Sequence, residues 1–184
     1  MNEANPLSLR TLRRFLDLAG SRLDGEWILL GGTVLPLLGV EYRVTADIDL
    51  VNLRESQSGS ALRLMELAEK LGLPIESINQ AAAYFLHKIP KYQKHLVLLH
   101  QGKSATLYRP DAYLFVRLKL GRLSESDLSD CIEFIKLEKK NEKSISESEK
   151  KELMLLLRKE LSKKEQNENR MERLQQLQRT LTDA

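Results

Sequence analysis

Apolar positions along the chain change period several times, and each change predicts an element. Leu9, Leu12, Phe15, Leu16, Ala19 and Leu23 recur at helical spacing behind Ser8, a residue suited to capping a first turn. Residues 26–30 (EWILL) form a short apolar run ending at Gly31-Gly32, the pattern of a buried strand that enters a tight turn. Residues 33–38 predict a short helix closed by Gly39, with Pro36 in a first turn whose amides lack helical partners in any case. From 46 to 53 (ADIDLVNL) the pattern alternates. Ala46, Ile48 and Leu50 share one face and Thr45, Asp47 and Asp49 the other, which predicts a half-buried strand. Residues 58–71 predict a helix with Ala61, Leu64, Ala68 and Leu71 inward, stopped by Gly72 and Pro74.

Three short strands are predicted next, at 83–87, 96–99 and 105–108, then a helix from Pro110-Asp111 to Leu120 and another over about 125–140. Two more helical stretches carry Leu153, Leu156, Leu157 and Leu161, and then Met171, Leu174, Leu177 and Leu181, with a weak break at 165–169 (EQNEN). The order predicts an α/β (α+β) fold: a small mixed sheet flanked by helices over residues 1–140, and a charged helical C-terminal extension over 141–184. The leucines of the extension predict a packing seam, either against the body or against a partner protein or second copy of the chain.

Charge sharpens that division. The chain has 184 residues with 29 Lys+Arg and 26 Asp+Glu, a net charge of +3. The first 135 residues hold 16 of each sign, so the whole excess lies in the last 49, which contain no Gly or Pro. A hydrophobic content of 42% excludes a disordered chain, and a charge of +3 is too small to imply a nucleic-acid partner by itself. One cysteine, Cys131, excludes an intramolecular disulfide and a multi-cysteine zinc site, and points to a reducing, cytoplasmic setting. The opening MNEANPLSLRTLRR lacks the apolar stretch of a secretory leader, and residues 27–40, broken by Gly31-Gly32 and Pro36, are too short to span a membrane. His87, His95 and His100 fall at no metal-ligand spacing.

Candidate chemistry concentrates in residues 31–49 (GGTVLPLLGVEYRVTADID). Glycines after a strand let backbone amides approach a ligand, and the start of the next helix, with the Thr33 hydroxyl, favours a phosphate. Asp47 and Asp49, two apart on a strand, project from one face, and two such carboxylates suit Mg²⁺ or Mn²⁺, which retains waters and substrate phosphates as its other ligands. Arg43 could pair with phosphate in bidentate fashion. Taken alone, the two aspartates read as the solvated face of a strand; but Asp is disfavoured in strands, so a pair asks for a reason.

Together, Gly31-Gly32-Thr33, Arg43-x-Thr45 and Asp47-Ile48-Asp49 resemble the signature of the polymerase-β-like minimal nucleotidyltransferases, and most of all their AbiEii-like branch, associated with bacterial toxin–antitoxin and phage-defence loci. Residues 110–130 (PDAYLFVRLKLGRLSESDLSD) are similar to a helical segment of the same branch through Lys119, Arg122, Asp127 and Asp130. The resemblance implies a metal-dependent transfer of a nucleoside monophosphate from an NTP to a hydroxyl of RNA or protein. It implies that Asp47, Asp49 and Lys119 are catalytic; that Gly31, Gly32, Thr33, Arg43, Thr45 and Arg122 bind nucleotide; and that Asp47 and Asp49 bind metal. Many members carry a third carboxylate on a later strand. Here no Asp or Glu lies between Glu76 and Asp111. Either Asp127 or Asp130 completes the metal site, or the chemistry is impaired and the chain is a binding, antitoxin or regulatory module.

Overall fold

The computed structural model describes residues 7–40, 45–54, 60–163 and 167–183, which group into two compact units, Met1–Pro110 and Asp111–Ala184. No helix among the described residues is long and apolar enough to cross a membrane.

The first unit is built on a five-stranded sheet of order β3-β2-β1-β5-β4: β1 (Gly25–Leu30), β2 (Ile48–Asn52), β3 (Ile78–Asn79), β4 (Leu96–Gln101) and β5 (Ala105–Pro110). β1 is antiparallel to β2 and parallel to β5, β3 is parallel to β2, and β4 and β5 form an antiparallel hairpin. The predicted small mixed sheet is therefore present. β1 is central, and four successive side chains, Trp27 to Leu30, are buried. That explains why its sequence is a continuous apolar run rather than an alternation.

Helix α1 (Leu9–Arg22) starts as its sequence predicts. The Ser8 hydroxyl accepts a hydrogen bond from the Thr11 amide, and Leu12, Phe15, Leu16 and Ala19 are buried. Its last turn comes so close to the β4–β5 hairpin that a Cβ on Gly102 would run into the Gly20 backbone, whose carbonyl also accepts from the Ser104 amide at 2.9 Å. Gly102→Ala is expected to cost roughly 2 kcal/mol, since neither backbone can retreat without breaking that bond; a urea melt of the variant measures it.

Three local predictions need correction. Residues 83–87 are not a strand: Ala83–Leu86 form a one-turn helix, α4, after a run of alanines with high helix propensity. The strand in this region is β3, only two residues long and too short to show a period. In α3 (Ser60–Leu71), Leu64, Leu67, Ala68 and Leu71 are buried, whereas Ala61 is exposed, because the inward stripe follows the larger Leu67. Residues 58 and 59, placed in that helix from sequence, lie outside the described residues.

The second unit is four helices: α5 (Ala112–Leu120), α6 (Glu125–Lys140), α7 (Glu147–Leu161) and α8 (Glu168–Asp183). Their starts are legible as caps. Asp111 accepts from the Leu114 amide, and Ser124 and Ser146 each open a reciprocal capping box, with Asp127 and Glu149 respectively. The Phe115 and Phe134 rings stack at 4.4 Å. Leu153, Leu157, Leu174, Leu177 and Leu181 are all buried within this unit, so the leucine seam joins α7 and α8 to α5 and α6.

Candidate functional site

The first cluster of predicted site residues lies where β1 ends. Gly31 takes φ +68°, a left-handed conformation that L side chains disfavour, and opens a 3-10 turn over Gly31–Thr33. Antiparallel pairing sets Leu30 opposite Asp49. The register carries the Asp49 carboxylate onto the turn, where a Cβ on Gly31 would collide with its Oδ2. The glycine thus makes the space that the carboxylate fills. The helix that follows, α2 (Val34–Leu37), is a single turn, so a phosphate here would meet individual Gly31 and Gly32 amides more than a helix dipole.

Thr33 is fully buried, and its hydroxyl donates to the Asp47 carbonyl at 2.7 Å. The Thr45 hydroxyl donates to the same carbonyl at 3.1 Å, and the Leu7 amide donates to the Thr45 carbonyl at 2.8 Å. These bonds fix the chain entering β2. Asp47 lies just before the strand and is exposed, while Asp49 lies within it and is half-buried. The expectation of two aspartates on one strand is thus met by one on the strand and one on its pinned approach. Arg43 lies outside the described residues.

Asn79 was not foreseen. β3 pairs with β2 in parallel, Asp49 opposite Asn79, and register partners on neighbouring strands project from the same face. The Asn79 Oδ1 accepts from the Ala81 amide at 3.0 Å, leaving a second lone pair on that oxygen. Beside Asp49, where a third carboxylate would strengthen a cation site, the chain places a neutral amide. The only sequence signal was the lack of acidic residues after Glu76, because a two-residue strand has no pattern of its own.

The second cluster lies within the helical unit. Lys119 Nζ donates to Asp127 Oδ1 at 2.8 Å and to Asp130 Oδ2 at 2.9 Å. Arg122 clamps Asp127 through Nε and Nη2, both at 2.7 Å, and the Ser124 hydroxyl donates to Asp127 Oδ2 at 2.8 Å. The Asp127 and Asp130 side chains are 1% and 3% exposed. Burial pushes the Asp127 carboxyl up, but the hydrogen bonds from Arg122, Lys119 and Ser124 outweigh it and hold it well below the usual carboxylate range. The structure therefore brings Lys119, Arg122, Asp127 and Asp130 to one another, with both carboxylates buried, Lys119 nearly so, and Arg122 exposed at the edge of the cluster. Arg170 donates to the Arg122 carbonyl at 2.5 Å and Arg173 to the Leu123 carbonyl at 2.7 Å, closing the end of α5 from α8. Nearby, Arg117 bridges Tyr113 and Glu152; burial first, and the Glu152 contact second, push the Tyr113 phenol up to about 12. The Cys131 thiol is raised further by complete burial and stays protonated, which removes it as a nucleophile or metal ligand.

A family model described as "Nucleotidyltransferase of unknown function (DUF6036)" matches residues 8–175. The chain belongs to this family. The match runs from the cap of α1 into α8 and so takes in both clusters. No curated protein and no solved structure matches the chain. Asp47, Asp49 and Asn79 offer oxygen donors alone, a residue chemistry that suits Mg²⁺ or Mn²⁺ and not a soft metal.

Proposed function

We propose that the chain transfers a nucleoside monophosphate from an NTP to a hydroxyl of RNA or protein, releasing pyrophosphate. Asp47 and Asp49 would hold Mg²⁺ or Mn²⁺, and the Gly31-Gly32 amides would face the triphosphate. The observation that carries the reading is Asp49 seated on the Gly31 turn. A carboxylate seated over a turn that carries no side chain of its own is the arrangement a site needs where phosphate, cation and backbone must meet. The bound cation would lower the pKa of the attacking hydroxyl and offset the charge of the leaving oxygen. Thr33 and Thr45 would act by holding Asp47 in place. The sequence likeness favours a role in a bacterial toxin–antitoxin or phage-defence system, with a partner protein in the same setting.

Incubation of the protein with α-labelled NTPs, Mg²⁺ or Mn²⁺, and total RNA or cell extract tests this; label should move to one acceptor class from one preferred NTP. No transfer with any NTP, joined to no metal-induced rise in melting temperature, would remove the proposal.

Asn79 favours a second reading, a nucleotidyltransferase fold with weakened chemistry that acts by binding. The two readings separate on Asn79→Asp. An aspartate can still accept from the Ala81 amide, so the fold should hold. The added charge beside Asp49 should tighten Mn²⁺ binding roughly tenfold, because site charge sets affinity for hard cations. Titration calorimetry reads the change. Transfer appearing only in the variant would select the second reading.

A further inference from the structure

Between Glu76 and Asp111 the chain carries no acidic residue, yet it holds Lys88, Lys91, Lys94, Lys103 and Arg109. The middle of this stretch also exposes its aromatics. Tyr84 and Phe85 on α4 are 63% and 59% exposed, packed edge to face at 5.4 Å. The Lys88 ammonium lies 3.6 Å from the Tyr84 ring centre and steadies the ring from one side. Lys88, Lys91 and Lys94 are exposed, and none forms an ion pair among the described residues. Lys91 takes φ +58° at the start of the 3-10 turn Tyr92–His95. A lysine in that conformation costs about 1 kcal/mol where glycine would cost nothing. Beside it opens a cavity of about 480 Å³ lined by His87, Ile89, Lys91, Tyr92 and Gln93 among others.

We propose that residues 84–94 bind single-stranded nucleic acid, with Tyr84 and Phe85 stacking on bases and Lys88, Lys91 and Lys94 neutralising phosphates. Exposed aromatics among cations without an acidic partner are what a flexible, unpaired strand requires, since every base has a face to stack and every linkage a charge to neutralise. An acidic protein surface would supply charge for the cations, whereas an unpaired strand supplies a charge and a stacking face at every step. The His87 and Gln93 side chains give the cavity polar groups that can meet the edge of one base. Ala83 follows Asn79 by four residues, a reach of at most ~14 Å, so the platform begins near the strand that flanks Asp49. This inference deepens the transfer reading by naming its acceptor as a nucleic-acid strand, and rests on that reading only for the acceptor role.

Fluorescence anisotropy with the full chain and labelled 12-mer single-stranded RNA and DNA, without NTP or divalent metal, tests binding apart from transfer. Affinity should fall with salt with a log–log slope near −2, as about three neutralised phosphates require. Tyr84→Ala and Phe85→Ala should each weaken binding about tenfold, and Lys88→Gln with Lys94→Gln should flatten the slope by about 1.4. Lys91→Gly should weaken binding while leaving the melting temperature equal or higher, which a structural role for Lys91 does not predict. Asp49→Asn should bind as the parent does even where transfer is lost, so failure of catalysis and failure of binding stay distinguishable. Stronger RNA than DNA binding, or the reverse, identifies the strand. No binding at low salt, equal binding by the aromatic variants, or polyglutamate competing as well as the oligonucleotide would overturn the proposal.

Discussion

Asp49→Asn is expected to reduce nucleotidyl transfer by at least ~100-fold while leaving the melting temperature near that of the parent chain. Asparagine has the size of aspartate, so the space over Gly31 stays filled and the pairing of β1 with β2 is untouched. What is lost is one negative charge on a cation, and a cation supplies several kcal/mol of transition-state stabilisation, where each 1.4 kcal/mol is tenfold in rate. Gly31→Ala should behave differently. It forces an alanine into positive φ and drives its Cβ into the carboxylate, for about 2–3 kcal/mol of lost stability together with lost transfer. Thermal melts and label-transfer rates on the same preparations separate the two. A fully active Asp49→Asn would falsify the assignment of this carboxylate to the reaction. An undisturbed Gly31→Ala would mean that the turn is not the support described for it.

The contrast between those two variants reflects how differently the parts of the site were legible in the sequence. Gly31-Gly32 and Asp49 could be found because each breaks a local rule: glycines interrupt an apolar run, and an acid sits in a strand. Helix α1 was readable because its Ser8 cap and its apolar period agree, and α5 because Pro110-Asp111 opens it. Asn79 was not readable. Its strand exists because β2 offers an open edge, a tertiary circumstance with no signature in two residues. Residues 83–87 misled for a related reason, since a short apolar stretch without a clear period suits a helix or a strand equally, and only the surrounding chain decides. Thr33 was read as a hydroxyl facing ligand, and the structure gives its proton to a backbone carbonyl fourteen residues on, a long-range bond that no local pattern encodes. The cluster around Asp127 was visible as residue types at helical steps, but spacing alone does not say that two cations and two carboxylates close on one another.

That closure makes Asp127 the residue on which the helical unit should depend most. Asp127→Asn keeps the side chain's volume and an oxygen able to accept from Ser124, and removes the charge together with the acceptor that faces Lys119. Lys119, 10% exposed, is then left with Asp130 as its one carboxylate in the cluster, and breaking a buried pair from one side costs about 3–5 kcal/mol. The lower end, ~3 kcal/mol, is the better expectation, because Arg122 is 77% exposed and water replaces much of what it loses. The pH dependence follows from the direction of the shift. The folded carboxyl is held below its ordinary value, so its contribution is complete above about pH 4 and is lost as acid protonates first the unfolded and then the folded chain. Parent and variant should therefore differ most at neutral pH, and the gap should narrow by ~1 kcal/mol at pH 3. Urea unfolding at pH 7 and pH 3 measures both. A gap that stays constant across that range would show that Asp127 stabilises α6 as a cap and not through its charge.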